Sequence, residues 1–128
     1  MRWIIAAAGV LAAMPAHGQD MTVQSGVFRE RADKNGMRIE PAASFARGDT
    51  VVTVMTWQAP RAASHTIVSA VPAGLALESV SRDGLQVSMD GGRTWRSLED
   101  ARNLPGTVTH LRWRAAGNGQ LSYRAVVR

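Results

Sequence analysis

The sequence predicts a single all-β domain, folded as a β-sandwich of about seven to nine short strands. No stretch after residue 18 keeps the 3.6-residue period of an amphipathic helix. Instead, apolar and polar residues alternate over short runs. Turn signals such as Asn35-Gly36 and Pro72-Ala73-Gly74 interrupt these runs about every eight to twelve residues. Short strands with this turn spacing are typical of a sandwich rather than of an α/β fold.

The first eighteen residues have the order of a secretory signal peptide. Met1-Arg2 gives a positive start, residues 3–14 are apolar, and small Ala16 and Gly18 stand where a signal peptidase reads. Twelve apolar residues are too few to span a bilayer. We therefore expect export to the periplasm or the medium, with cleavage after Gly18; a buried N-terminal helix is the alternative.

The composition of the remaining chain limits its chemistry. Cleavage after Gly18 leaves 110 residues, with 14 basic against 10 acidic side chains and a net charge of +4. Thirteen of the bases are arginine, which suits a surface for phosphate or carboxylate, although a GC-rich genome would also favour arginine. The absence of cysteine excludes disulfides, thiol catalysis and thiolate metal sites. No second apolar stretch reaches membrane length, so we expect no transmembrane segment in the mature chain.

The strands can be placed from the alternation and the turns. Residues 19–26 are small and polar and are expected to be a flexible N-terminus, so the domain is predicted to span residues 27–128. Thr50 to Trp57 is the strongest strand; it is apolar on both faces and is therefore expected at the centre of a sheet. The other predicted strands are residues 27–31, 37–40, 65–71, 75–81, 107–114 and 121–128.

Leu85 to Leu98 is predicted to be a β-hairpin that turns at Met89–Gly92. Leu85 and Val87 point to one side, and Trp95 is expected to be the buried anchor of the returning strand. The segment matches the Asp-box pattern S-x-D-x-G-x-T-W through Ser88, Asp90, Gly92, Thr94 and Trp95. In carbohydrate-active proteins this motif lies away from the active site, and one copy cannot form a propeller. We interpret it as a structural hairpin.

The last two strands are predicted to pair through the loop Ala116–Gln120. This register places Trp113 opposite Tyr123 on the buried side and Arg112 opposite Arg124 on the outer side. Like charges directly opposite destabilise a ladder, so an acidic neighbour or an anionic partner is expected. The candidate anionic-partner face consists of Arg112, Arg114 and Arg124; the alternative is that these side chains extend into water.

Several motifs together resemble a bacterial family. They are Arg47–Val51, Val71–Leu75 and Leu121–Arg124, with Ser88–Trp95 and Thr109–Trp113 between the last two. As a set they are similar to the conserved-repeat domain of unknown function (domain of unknown function eleven) of surface and exported proteins. The resemblance covers residues 27–128 and implies an immunoglobulin-like sandwich outside the cytoplasm. It implies no catalytic residues.

No residue pattern predicts catalysis, a cofactor or a metal. His65 and His110 are the only histidines after residue 18, and neither has a metal-type spacing. A G-x-S-x-G elbow and a phosphate-binding loop are absent from the sequence. We expect a non-enzymatic binding or structural module of the cell envelope, with an unidentified, anionic envelope partner and no nucleic acid. The alternative is an accessory domain or enzyme of secreted carbohydrate processing, which only the Asp-box suggests.

Overall fold

The computed structural model describes residues 2–3, 11–14, 21–60 and 64–128, and the regular structure in these residues is all β-strand. The strands are β1 (Arg2–Trp3), β2 (Leu11–Met14), β3 (Thr22–Asp33), β4 (Gly36–Pro41), β5 (Phe45–Ala46), β6 (Thr50–Gln58), β7 (Ser64–Ala70), β8 (Leu75–Val80), β9 (Gln86–Ser88), β10 (Arg96–Ser97), β11 (His110–Ala116) and β12 (Gly119–Val127).

Two antiparallel sheets pack face to face as a sandwich. Sheet I has the order β4-β3-β6-β12-β8, and sheet II has the order β10-β9-β11-β7. Within residues 21–60 and 64–128 these are five and four strands, so the prediction of a β-sandwich with seven to nine strands is confirmed. Two N-terminal strands join this frame: β2 pairs with β7 at the edge of sheet II, and β1 pairs with β5.

The core lies between the sheets and draws on both. From sheet I it takes alternate residues of β6 and β12, and from sheet II the inward residues of β7 and β11. The rings of Trp57 on β6 and Trp113 on β11 meet across the core, with centroids 5.8 Å apart. β6 lies between β3 and β12, which confirms the central position predicted from its two apolar faces.

The predicted turn at Asn35-Gly36 is confirmed, and a second glycine turn precedes the central strand. Gly36 closes the β3–β4 hairpin at a φ of 114°, and the Asp33 carboxylate accepts the Asn35 amide at 2.8 Å. Gly48 has a φ of 89° in the turn that leads into β6. Positive φ angles favour glycine, which explains why these sequence signals were dependable.

The prediction of a flexible N-terminus is wrong for residues 22–26, because β3 already begins at Thr22. Val23 pairs with Trp57 and packs against the core, so backbone pairing with β6 outweighs the polar composition of this stretch. Residues 19 and 20 lie outside the described residues. So does most of the predicted signal peptide, of which only β1 and β2 are described; its cleavage stays a prediction.

The predicted hairpin between the last two strands is wrong. β11 pairs with β7 and β9 in sheet II, whereas β12 pairs with β6 and β8 in sheet I. The chain crosses from one sheet to the other at Gly117-Asn118, where Gly117 has a φ of 66°. Gly119 then passes so close to the Trp57 ring that a β-carbon there would overlap the indole.

The inward side chains of these strands were nevertheless predicted correctly. Trp113 and Tyr123 are 2% and 1% exposed, but they belong to opposite sheets and are not a cross-strand pair. Trp113 pairs with Ile67, and Tyr123 pairs with Thr53 and Val80. Alternation determines which side of a strand is buried, but it does not determine the neighbouring strand.

Candidate functional site

The Asp-box hairpin is held by the Asp90 carboxylate. β9 and β10 pair only at two positions, and residues 89–95 form a longer connection than the predicted tight turn. One oxygen of Asp90 accepts the Thr94 amide at 3.0 Å and the other accepts the Thr94 hydroxyl at 2.5 Å. The Ser88 hydroxyl donates to the same carboxylate at 2.8 Å. These hydrogen bonds, led by that of the Thr94 side chain, lower the pKa of Asp90 from 3.8 to about 2.

The hairpin is also fastened to β11. Ser88 is 1% exposed, and its hydroxyl accepts the Gly92 amide at 2.8 Å. Thr109, which immediately precedes β11, donates its amide to the Ser88 carbonyl at 2.8 Å, and its hydroxyl accepts the Gly91 amide at 3.0 Å. The polar groups of the motif are therefore engaged in building the turn.

Trp95 does not lie in the core, which corrects the prediction that it is a buried anchor. The register pairs Arg96 with the inward Val87 and Ser97 with Gln86, so Trp95 falls on the outer side of sheet II. It is half-buried there, with the guanidinium carbon of Arg112 4.2 Å from a ring centroid. This is the geometry of a cation–π contact.

Arg112 is oriented by two neighbours on the outer face of sheet II. Its Nε and Nη2 donate to the Gln86 side-chain oxygen at 2.8 and 2.6 Å, while Trp95 supports the plane of the guanidinium. This leaves the Nη1 end of the guanidinium without an acceptor among the described residues. A guanidinium held in this way presents parallel N–H groups that match a carboxylate or a phosphate.

Arg114 and Arg82 extend the positive face. Arg114 follows Arg112 by two residues on the same side of β11, and its Nη2 donates to the Ser64 hydroxyl on β7 at 3.1 Å. Arg82 lies beside this face at the end of the sandwich: from the loop after β8 it donates to the Arg114 carbonyl at 3.3 Å, and its guanidinium carbon is 5.9 Å from the ring centroid of Trp57. Within the described part of the chain, none of these three guanidiniums has a carboxylate within 4.0 Å. We refer to Arg112 and Arg114, with Arg82 beside them, as the arginine face.

Arg124 does not belong to this face, so the predicted set of Arg112, Arg114 and Arg124 is wrong as a single surface. Arg124 lies on the outer side of sheet I, on the opposite side of the sandwich. It donates from Nε and Nη2 to the two oxygens of Glu30 at 2.9 and 2.8 Å. Its charge is therefore already paired, as a bidentate arginine–carboxylate contact.

An open depression lies along the arginine face. Its nine lining residues include no acidic side chain. The polar ones are Thr66, Gln86, Ser97, Arg112 and Arg114. A depression with cationic and neutral polar walls can hold an anionic group, but it lacks the paired carboxylates that glycoside hydrolysis uses.

The two histidines lie apart and form no joint site. His65 is 1% exposed on the inner side of β7, and neither ring nitrogen has a hydrogen-bond partner among the described residues. His110 is half-buried, with Nδ1 3.0 Å from the Thr109 hydroxyl. Residues 21–60 and 64–128 contain no cluster of three potential metal ligands.

Sequence reasoning missed Arg82, Gln86 and the outward position of Trp95. Gln86 orients Arg112 because β9 pairs with β11 across the loop 98–109, and that pairing leaves no local signal. The motif suggested that Trp95 is buried, whereas counting in register from Val87 would have placed it outside.

Comparisons with known proteins add no assignment to this site. In the part of the chain that the structure describes, no helix is long and apolar enough to cross a membrane. No family model matches the chain, and no match to it was found among the curated proteins or the solved structures.

Proposed function

We propose that this protein is an exported, non-enzymatic binding module of the bacterial cell envelope, periplasmic or secreted, which holds an anionic envelope component on its arginine face. In this proposal the sandwich is immunoglobulin-like and related to the conserved-repeat domain that its motifs resemble. In this proposal the signal peptide directs the chain to the envelope and is removed after Gly18.

A single observation carries this proposal: Arg112 is oriented but not neutralised. Gln86 and Trp95 fix its guanidinium, yet no carboxylate lies within 4.0 Å among the described residues. Fixing a long side chain costs conformational entropy, and placing several arginines together adds repulsion. An anionic ligand would offset both costs, because it would meet guanidiniums that are already ordered.

The contrast with Arg124 supports the proposal. Arg124 is on the outer face of the other sheet, and Glu30 neutralises it there. Four other ion-pair contacts also involve arginines of β3 and β4, in sheet I. On the outer face of sheet II, by contrast, Arg112 and Arg114 have no carboxylate within 4.0 Å among the described residues, and both line the open depression.

The alternative is an accessory role in secreted carbohydrate processing. A half-buried tryptophan beside a depression is its one structural support, because sugar rings stack on aromatic faces. Arg112, however, already covers Trp95. Ser88 and Asp90 are engaged in the turn, and we therefore favour anion binding.

The test is co-sedimentation of the exported protein with washed envelope fragments over a series of salt concentrations. We expect Arg112→Glu with Arg114→Glu to reduce attachment at least about tenfold. The melting temperature should fall by no more than the roughly 4–8 °C that loss of the Arg112–Trp95 contact implies. Added salt should weaken wild-type attachment, because exposed charges are screened over about 10 Å at 0.1 M.

The matched control is Arg102→Glu with Arg93→Glu. These exposed loop arginines undergo the same change of charge outside the arginine face. If the control pair reduces attachment as much as the test pair, only net charge matters and the proposed site is wrong. Attachment that does not respond to salt would contradict it equally.

A further inference from the structure

We propose that the outer edge of β7 is a strand-addition site, and that its partner is an extended polypeptide segment with an acidic side chain next to Arg114. This deepens the proposed function and rests on it, because it identifies the anionic component as a polypeptide. The four edges of the sandwich differ in how well they are protected.

Three of the four edges are protected against pairing with another chain. β4 carries Arg38, Glu40 and Pro41 at the edge of sheet I. At the other edge of that sheet, β8 is covered by the loop between β10 and β11. The Val80 amide donates to the Ala101 carbonyl at 2.8 Å, and the Leu104 amide donates to the Glu78 carbonyl at 3.0 Å. β10 has only two residues. Charges, prolines, covering loops and short strands all prevent edge-to-edge association.

β7 has none of these protections. Its seven residues, Ser64–Ala70, include no charge and no proline, and they pair with β11 without a break in register. The backbone groups on its other side meet only β2, within the described residues. β2 belongs to the segment whose removal is predicted, so export would leave this regular edge open.

The pairing with β2 shows that the edge accepts an extended segment. Leu11 to Met14 lie antiparallel to it, from Leu11 opposite Ser69 to Met14 opposite Thr66. Main-chain hydrogen bonds would supply affinity for any extended segment in this register, and alternate side chains would supply selectivity.

The electrostatics of the edge select an acidic partner. Arg114 is one strand inside the edge, and its guanidinium leans outward over β7 to reach the Ser64 hydroxyl at 3.1 Å. A strand added to β7 would lie about 10 Å from β11, within the joint reach of an arginine and a glutamate side chain. Residues opposite Ser64 or Thr66 would be on the outer face with Arg114, so the acidic residue belongs at one of those positions.

The probe is a synthetic peptide with the sequence of residues 9–16 that carries Met14→Glu, and the control peptide carries Met14→Lys. Each is titrated into the exported, isotope-labelled chain, which retains both sheets and the core of residues 45–127. We expect amide shift changes along residues 64–70 and about three- to tenfold tighter binding of the glutamate peptide at low salt.

Two further comparisons separate strand addition from simple charge attraction. Arg114→Gln should abolish the preference for glutamate, whereas Arg124→Gln on the opposite sheet should preserve it. Two further peptides carry backbone N-methyl groups, one at residues 11 and 13 and the other at residues 12 and 14. Only one of these pairs of N–H groups faces β7 in an antiparallel pair, so only one of the two peptides should lose affinity.

Three results would overturn the inference. The first is that neither peptide binds at millimolar concentration, the second is that the amide shift changes map to β4 or β8, and the third is that the glutamate and lysine peptides bind with equal affinity. The exported chain could also form a dimer through this edge. If Val68→Lys dissociates such a dimer and Val54→Lys, on the inner strand β6, does not, the occupant of the edge is a second copy and the proposed acidic partner is wrong. If the Arg112→Glu, Arg114→Glu protein loses envelope attachment but the wild type binds neither peptide, the proposed function stands and this partner is rejected.

Discussion

The strands β11 and β12 follow each other in sequence and have nearly the same pattern, yet they have different surroundings. Both bury an aromatic residue, Trp113 or Tyr123, between the sheets. On the outer side, Arg124 of β12 is bound by Glu30, whereas Arg112 of β11 is held by Gln86 and Trp95 without a carboxylate. An alternating pattern therefore determines which side chains are buried, whereas the residues that other strands of the same sheet place beside an outward charge determine whether that charge is neutralised.

The largest effects are expected where the two strands are equivalent. Trp113→Ala and Tyr123→Ala should each lower the free energy of unfolding by about 3–5 kcal/mol, because each removes a fully buried aromatic side chain. Denaturant melts of the two variants would measure this. If either protein is as stable as wild type, the corresponding strand does not face the core.

The crossing between the two strands should tolerate no side chain at Gly119. A β-carbon there overlaps the Trp57 indole, which is 3% exposed and packed against Trp113. We expect Gly119→Ala to cost about 1–3 kcal/mol through overpacking. The control is Gly36→Ala, where a β-carbon meets nothing within 4 Å and only the backbone φ is strained. A change in tryptophan fluorescence in the Gly119→Ala protein but not in the Gly36→Ala protein would show that the added β-carbon meets the Trp57 indole.

Trp95→Ala should have a smaller effect, because the ring lies on the outer face. We expect a loss of about 1 kcal/mol of unfolding free energy from the contact with Arg112. Arg112→Gln should remove most of the same contribution, so the double variant should cost less than the sum of the two. Additive losses in a double-mutant cycle would mean that the contact is not formed.

The hairpin beside β11 should give the protein an acid-sensitive component. The pKa of Asp90 is lowered from 3.8 to about 2 in the folded state. At a pH between these two values the folded protein keeps this carboxylate ionised, whereas the unfolded chain binds a proton there. The contribution of the ionised Asp90 to the free energy of unfolding is therefore complete above about pH 4 and is lost as the pH falls through about 2. Between pH 5 and 2 the melting temperature of wild type should fall more than that of Asp90→Asn; parallel curves would contradict the hydrogen bonds to Thr94.

The smallest effect is expected for the ion pair on β12. Arg124 has 47% of its side chain exposed, so Glu30→Gln should lower the free energy of unfolding by only about 0.5 kcal/mol. The more informative result is functional: once released from Glu30, Arg124 should still not support envelope attachment in the Arg112→Glu, Arg114→Glu protein. Restored attachment would show that any uncompensated arginine suffices.

How far the sequence could predict the fold depends on the range of each signal. Gly36 and Gly48 act through their own backbone angles, and Trp57 and Trp113 through alternation along one strand, so these local features were predictable. The partners of β11 were not, because β7 and β9 reach it across long stretches of chain. The predicted hairpin between β11 and β12 was wrong because it assumed the shortest possible connection between strands.

The candidate site was predictable only in part for the same reason. Alternation correctly placed Arg112 on an outer face. Its partner Gln86 follows only from the pairing of β11 with β9, and the partner of Arg124, Glu30, only from the position of β3 one strand beyond β6. Whether an arginine is neutralised depends on residues 26 and 94 positions away in the chain. No local pattern carries that information.

The crossing at Gly117-Asn118 also bears on when the protein can fold. β12 is the strand that joins β8 to β6, and β11 is the strand that joins β9 to β7. Both sheets thus stay in two pieces until residues 110–127 have arrived, and the pairings that close them join distant parts of the chain. Folding that waits for distant pairings is slow. The chain should therefore remain extended until its last strands have emerged, which is the state in which a polypeptide can be threaded through a narrow channel.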